Sequence, residues 1–339
     1  MKPPKTQPLA QEHPFAQYIR TLGKGKTGSR SLNQDEAASA FSMLLRDEAD
    51  PLQVGAFLML LRVKEETGEE LAGFVQACRE QIAIPELPAQ VDLDWPSYAG
   101  KRQQHPWYIL AMLLLANSGY RVLCHGSAGH TPGRLYTERA MAELGLPIAA
   151  NWQQAEQQLG SDGLSYLPLH AFCPALDKLM HLKPLLGLRS PVNTLARNLN
   201  PARATCSVQS IFHPAYARLH QEADSLLQQP SALVYKGDGG EAEIKPQADT
   251  RLHLLRDGAF TQSVFPRAIH ARVAPVEAPA TAPLRQLWRN QSGDLYGLTA
   301  TLATTAAALL LLEPEISTVV QARQRAKELW QQRDLQRLD

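Results

Sequence analysis

The chain has 339 residues, enough for two domains that each bury a core of their own. Hydrophobic residues make up 44% and charged residues 20%, an ordinary soluble composition. The formal net charge of +1 excludes a partner chosen by bulk charge, so any polyanion must be met by local patches.

In chain order, residues 1–14 are polar and proline-bearing and predict a loose, flexible tail without the apolar core of a signal peptide. A helical domain is expected over residues 15–88. Ser31-Leu32-Asn33-Gln34 has a capping-box pattern, and Ala37, Ala40, Phe41, Leu44 and Leu45 follow at helical spacing. Asp50 and Pro51 open the next helix as N-cap and first-turn proline. Its run LQVGAFLMLLRV is apolar nearly all round, which predicts a central place in the bundle. Thr67-Gly68-Glu69-Glu70 forms another capping box, with Leu71, Phe74, Val75, Cys78 and Ile82 on one stripe. Pro85 and Pro88 mark the exit.

From residue 89 the rhythm becomes strand and helix in alternation. VDLDW, YRVLCH, LSYLPL and ALVYK read as strands, and Trp107–Asn117 and TERAMAELG as helices. This pattern predicts an α/β domain over 89–339 with a mostly parallel sheet covered on both faces, and helices near 174–190 packing on the helical domain. Residues 273–283 are a proline-rich connector, and the chain from about Thr281 to Leu338 reads as helices. The apolar run from Leu298 to Leu312 is broken by threonines and is shorter than the roughly 20 residues that span a bilayer. A cytoplasmic protein with no membrane partner is expected. Cys78, Cys124, Cys173 and Cys206 lie far apart with no C-x-x-C pair, which predicts reduced, mostly buried thiols rather than a zinc or redox site.

The stretch LGKGKTGSRSLNQDEAASAFSMLLRDEADPLQVGAFLMLLRVKEETGEELAGF resembles the amino-terminal signature of the anthranilate phosphoribosyltransferases. HLKPLLGLRSPVNTLARNLNP resembles a second family motif through Gly187, Arg189, Asn193, Asn200 and Pro201, and His125-Gly126 a third. The resemblance implies the glycosyltransferase family 3 fold: a small helical domain that makes a homodimer, beside a larger α/β domain. In that family ribosyl diphosphate is held between the two. The resemblance also implies a glycine-rich loop for the diphosphate and an Asp-Glu pair for Mg2+.

The chain departs from the family at these two places and at a third. After VDLDW it reads Ser97-Tyr98-Ala99-Gly100-Lys101-Arg102, with one glycine where the family has four. KGDGGEAEI puts Ala242 and Glu243 at the acidic pair, and after His125-Gly126 the family's Asn-Arg and paired serines are missing. These departures, with Pro96–Gln103, Ala171–Lys178 and Gly187–Ala196, resemble the YbiB-type branch, which implies DNA binding without base-sequence preference.

Charge is segregated in a way that fits polyanion binding. Residues 1–30 hold Lys2, Lys5, Arg20, Lys24, Lys26 and Arg30 against Glu12 alone; residues 174–218 hold Lys178, Lys183, Arg189, Arg197, Arg203 and Arg218 against Asp177 alone. Expected phosphate contacts are therefore Lys24, Lys26, Arg30, Lys178, Lys183, Arg189 and Arg197. The loop adds Ser97, Gly100, Lys101 and Arg102, whose basic residues precede a helix N-terminus, a good anion site. His125 is a further expected phosphate contact, or else a structural strand-end histidine with no carboxylate to pair it. Trp95, Tyr98, Trp107 and Tyr108 flank the basic loop as candidate stacking residues, with core packing the expectation for Trp107. The leading expectation is a sequence-independent nucleic-acid binder without catalytic residues, metal or cofactor. The alternative is an active phosphoribosyltransferase that uses Mg2+ and ribosyl diphosphate, with Glu243 as a metal ligand and an unknown acceptor. A third is a protein-interaction module built on the dimer surface.

Overall fold

The computed structural model describes residues 12–83, 90–129 and 131–338. The exit prolines Pro85 and Pro88, the 88/89 boundary and most of the expected tail lie outside them. Four helices come first: α1 (Ala16–Gly23), α2 (Gln34–Leu45), α3 (Pro51–Lys64) and α4 (Gly68–Gln81). The N-cap of α2 is Asn33, not Ser31. Asn33 Oδ1 accepts from the Glu36 N–H at 2.9 Å, while Glu36 Oε2 accepts from the Asn33 N–H at 3.1 Å. Ser31 instead accepts a hydrogen bond from Lys64 Nζ at 2.6 Å. The boxes at Asp50 and Thr67 form as their sequences predict.

The central helix is α4, which is buried along most of its length between α2 and the later helix over residues 216–226. The expectation for α3 is overturned. Only Phe57, Leu58 and Leu61 are buried, while Leu52 and Val63 are 85% and 83% exposed. It packs mainly on α1 and turns its other apolar face outward.

The α/β part continues with β1 (Leu93–Ser97), α5 (Tyr108–Asn117), β2 (Val122–Gly126), α6 (Thr137–Leu144), α7 (Trp152–Asp162) and β3 (Leu164–Pro168). Short helices α8 (Leu169–Phe172), α9 (Pro174–Met180), α10 (Lys183–Leu186) and α11 (Val192–Leu195) follow. Leu176, Met180, Val192 and Leu195 share one core with Phe41, Phe57 and Phe74, so these helices close over the bundle. The sheet resumes with β4 (Cys206–Ile211), α12 (Tyr216–Leu226), β5 (Ser231–Lys236), β6 (Thr250–Arg256) and β7 (Ala259–Phe265). The chain ends in α13 (Ala282–Trp288), α14 (Leu295–Leu312) and α15 (Val319–Gln332).

The seven strands lie in the order β3-β2-β1-β4-β5-β6-β7. The first five are parallel; β6 and β7 form an antiparallel hairpin at the edge. Strand order reverses at β1, where Leu93 pairs with Val122 on one side and Cys206 on the other. In open α/β sheets a crevice forms outside the carboxyl ends of the strands at such a point. Helix α14 is long and apolar enough to cross a membrane, but 72% of it is buried, as suits a core helix. It lies against α5 so closely that a Cβ on Gly297 would come 2.6 Å from the Trp107 ring. All four cysteines are free and buried.

Candidate anion-binding site

The loop after β1 does make an anion cradle. Gly100 has φ +67, a conformation side chains resist, and a Cβ there would meet the Arg134 Cβ at 3.1 Å. This turn aims the N–H groups of Ala99 and Gly100 at one point, where backbone nests bind anions. The anion already there is the chain's own Glu241. Its Oε1 accepts from the Ala99 N–H at 2.7 Å and from the Gly100 N–H; its Oε2 accepts from Ser97 Oγ at 2.7 Å.

The N-terminus of α5 is filled in the same way, because Glu243 Oε2 accepts from the Tyr108 N–H at 2.9 Å. The other oxygen of Glu243 meets Lys101 Nζ at 2.7 Å, and Lys101 also binds Asp238 Oδ2 at 2.5 Å. Glu241 and Glu243 reach these places because the loop after β5 folds back sharply at Gly237, where a Cβ would overlap the Glu241 carbonyl oxygen. Arg134 braces the opposite side, donating to the carbonyls of Ala99, Gly100 and Gly239 at 3.0, 2.9 and 3.2 Å.

The electrostatics follow from burial. Desolvation raises the Glu241 carboxyl above its usual range, against the hydrogen bonds from Ser97, Gly100 and Ala99. Desolvation also pushes Glu243 up to about 7, although Lys101 pulls the other way. For Lys101 itself, burial lowers the ammonium's pKa but the charges of Glu243 and Asp238 outweigh it, and the net direction is up. Lys101 is therefore a buried cation among carboxylates.

This corrects several expectations. Lys101 is 1% exposed and cannot reach a phosphate in solution. Ser97 and Gly100 spend their donors on Glu241. His125 is buried, with Nε2 3.0 Å from Asp94 Oδ1 and Nδ1 2.7 Å from the Tyr98 hydroxyl. It thus has a carboxylate partner, brought alongside by the parallel pairing of β1 and β2, and is structural. Trp95, Tyr98, Trp107 and Tyr108 are all buried, so none can stack on a base. Arg102 is exposed, as are Lys24 and Lys26. Arg30 is held by Glu36 in two contacts of 2.6 and 2.7 Å, and Lys178 lies 3.6 Å from Asp47.

A second concave site lies between the helical bundle and the sheet. It has a volume of about 140 Å³ and is lined by Arg62, Arg189, Arg197, His213, Tyr216 and His220 among others. No described residue that lines it is acidic. Arg62 donates to the Tyr216 hydroxyl at 3.4 Å. Arg189 and Lys183 both donate to Thr131 Oγ1, at 3.4 and 3.3 Å. Arg197 is buried and bonded to the Asn193 carbonyl. Burial lowers the pKa of both Arg189 and Arg197, but a guanidinium remains charged. His220 is buried at the floor and its pKa falls to about 3 through desolvation and then the Arg197 charge, so it is neutral. Of the expected cations, Arg189 and Arg197 converge here and Lys183 adjoins. Arg62, His213 and Tyr216 were not foreseen, although Arg62 stands inside the amino-terminal signature and offered a signal.

A wider groove of about 1030 Å³ adjoins the cleft across Ile211 and Phe212, which line both. Its walls include Lys236, Lys245, Arg251, His253 and Arg272. Among the described residues, no group of three or more His, Cys, Asp or Glu is placed to hold a metal ion.

Residues 16–82 match the helical bundle domain of the glycosyl transferase family, and residues 109–332 match its a/b domain. The chain belongs to this family. Within the family it is anthranilate phosphoribosyltransferase-like. It is 31% identical to the anthranilate phosphoribosyltransferase of Oleidesulfovibrio alaskensis over 263 residues, covering 75% of this chain and 76% of that one. It is 28% identical to YbiB of Escherichia coli K12 over 253 residues, covering 72% and 77%. The anthranilate phosphoribosyltransferase structure from Thermus thermophilus superposes with a TM-score of 0.78 at 21% identity over 94% of both chains. That of the Saccharomyces cerevisiae enzyme in complex with PRPP and Mg superposes with a TM-score of 0.77 at 16% identity, covering 94% of this chain and 93% of that one. At these identities the two structures establish the shared fold.

Proposed function

We propose that this glycosyl transferase family member binds nucleic acid, DNA or RNA, through backbone phosphates with little or no preference for base sequence. The observation that carries the reading is the interdomain cleft: three arginines and two histidines line it and no carboxylate does, among the described residues. Arginine forks suit phosphate oxygens, and phosphate contacts position a strand without reading its sequence. The loop after β1 supports the same reading by what fills it. Ribosyl diphosphate would have to displace Glu241 from three hydrogen bonds. Magnesium would have to displace the Lys101 ammonium from Asp238 and Glu243. The residues present do not fit either group, so no cofactor is assigned. A cytoplasmic location without a membrane partner belongs to the same proposal.

The test is fluorescence anisotropy of a labelled oligonucleotide from low to physiological salt. Log affinity should fall linearly with log salt, by about 0.9 log units per tenfold rise in salt for each phosphate contacted on duplex DNA and about 0.7 on a single strand. Arg62→Glu with Arg189→Glu should weaken every sequence alike. No binding at low salt overturns the proposal. The transferase alternative is supported by the glycosyl transferase family match of both domains and by the 31% identity to an anthranilate phosphoribosyltransferase. Calorimetric binding of ribosyl diphosphate with Mg2+, lost on Glu243→Gln, would put it first.

A homodimer through the first helices is part of the proposal. Leu52 and Val63 on α3 and Leu185 on α10 are each more than four-fifths exposed, a cost that a second copy removes. Light scattering should read a dimer for the wild type and a monomer for Leu52→Glu with Val63→Glu; a wild-type monomer refutes it.

A further inference from the structure

Phe212 follows the last residue of β4 and is 53% exposed, although most of its neighbours on the sheet are core. It lines both the arginine cleft and the wide groove, so it stands on the ridge between them. Cations line both sides: Arg62 and Arg189 in the cleft, Lys236, Arg251 and Arg272 in the groove. The groove also holds Asp238 and Asp249, but each is compensated. Asp238 pairs with Lys101 and lies 3.8 Å from Lys245; Asp249 lies 3.5 Å from Arg267. The His213 ring meets the Phe212 ring edge-on, with centroids 4.9 Å apart and planes at 75°, which supports the phenyl ring from one side.

We infer that Phe212 is a stacking platform for a base of single-stranded nucleic acid, whose backbone runs from the arginine cleft over the Phe212 ridge into the groove beside β5 and β6. The inference rests on the nucleic-acid reading above and adds the strand type. Bases in a duplex are already stacked on each other and turn their faces away from protein. A single strand can splay a base onto an aromatic ring while cations on both sides hold its phosphates. An exposed phenyl ring between two cationic hollows suits that ligand and offers a duplex nothing.

The experiment is anisotropy with the full chain and three labelled probes: a mixed-sequence single strand, its duplex, and a single strand of abasic residues. Phe212→Ala should weaken the base-bearing single strand by about 5- to 100-fold, the loss expected for one stacked base. Its affinity for the duplex and the abasic strand should stay within about two-fold, and its salt slope should be unchanged, since no phosphate contact is removed. Phe212→Trp should restore the affinity, and both variants should melt as the wild type does. Arg251→Glu with Arg272→Glu should instead lower the salt slope on the single strand. Equal binding of the base-bearing strand by Phe212→Ala and wild type overturns the inference, as does an equal loss on the abasic strand. Absence of binding to all three probes by the wild type overturns the nucleic-acid reading with it.

Discussion

Replacing Lys101 with methionine separates a structural cation from a phosphate contact. The wild-type ammonium lies 2.5 Å from Asp238 and 2.7 Å from Glu243, with Lys101 and Glu243 both essentially inaccessible. At an effective dielectric of about 20, each contact is worth about 6 kcal/mol of attraction before the cost of desolvation. Removing one partner of a buried pair strands the other charge and costs about 3–5 kcal/mol, a large part of a typical total of about 5–15. The upper end is expected here because two carboxylates lose the same partner. The cost also depends on pH. The Glu243 carboxyl is already raised to about 7 in the folded chain, and loss of Lys101 raises it further. A carboxyl raised on folding favours the folded state below its unfolded value, near 4.5, and loses that contribution as pH rises through the folded value. The deficit of Lys101→Met in guanidinium unfolding should therefore be larger at pH 7.5 than at pH 5. Adding Glu243→Gln should recover part of it. A loss below about 1 kcal/mol at pH 7.5 would refute the reasoning, since a stranded buried carboxylate cannot cost so little. So would a variant of unchanged stability that binds oligonucleotide less well.

Glu241→Ala should vacate the three donors of Ser97, Ala99 and Gly100 and create calorimetric binding of inorganic pyrophosphate that the wild type lacks; silence in both proteins would show that the donors do not form an anion site. Gly297→Ala should push the Trp107 ring out of its place and lower stability by about 1–3 kcal/mol in thermal unfolding, and an unchanged melt would mean that α14 can shift freely. For His220, the folded pKa of about 3 lies below the usual 6.5, so its contribution is present above 6.5 and is lost as pH falls towards 3. His220→Gln should therefore gain on the wild type as pH falls through that window, and a constant difference from pH 7 to pH 4 would contradict the assignment.

The helical bundle and the strand–helix alternation were legible because caps and apolar spacing act within a few residues. The fold of the whole chain was legible through motifs that span it. The failures came where distant residues meet. The basic loop at Lys101 reads as a phosphate site, and its geometry is one, but the anions it holds come from the same chain about 140 residues on. A charge tally along the sequence counts Lys101, Glu241 and Glu243 without pairing them. Asp94 and His125 are joined by strand register, which no local pattern states. The α2 cap is Asn33, while Ser31 accepts from Lys64, a residue 33 positions away that local pattern does not bring near. The outward face of α3 escaped because a helix apolar all round carries no sign of which side is covered. Phe212 is one aromatic in SIFHPAY, with no spacing to distinguish it from a core residue.

The glutamate in the backbone cradle also changes how folding is coupled to the surroundings. A protein that binds a free ligand only when folded gains stability as that ligand accumulates, by about 2.7 kcal/mol at a hundred times Kd. Here the ligand is tethered: the loop after β5 delivers Glu241 at an effective concentration fixed by chain geometry, not by metabolism. A small anion must therefore compete with this tethered carboxylate for the same donors. The donors beside the cleft are thus satisfied from within the chain, so occupation of the cleft by an external ligand does not depend on filling this cradle first.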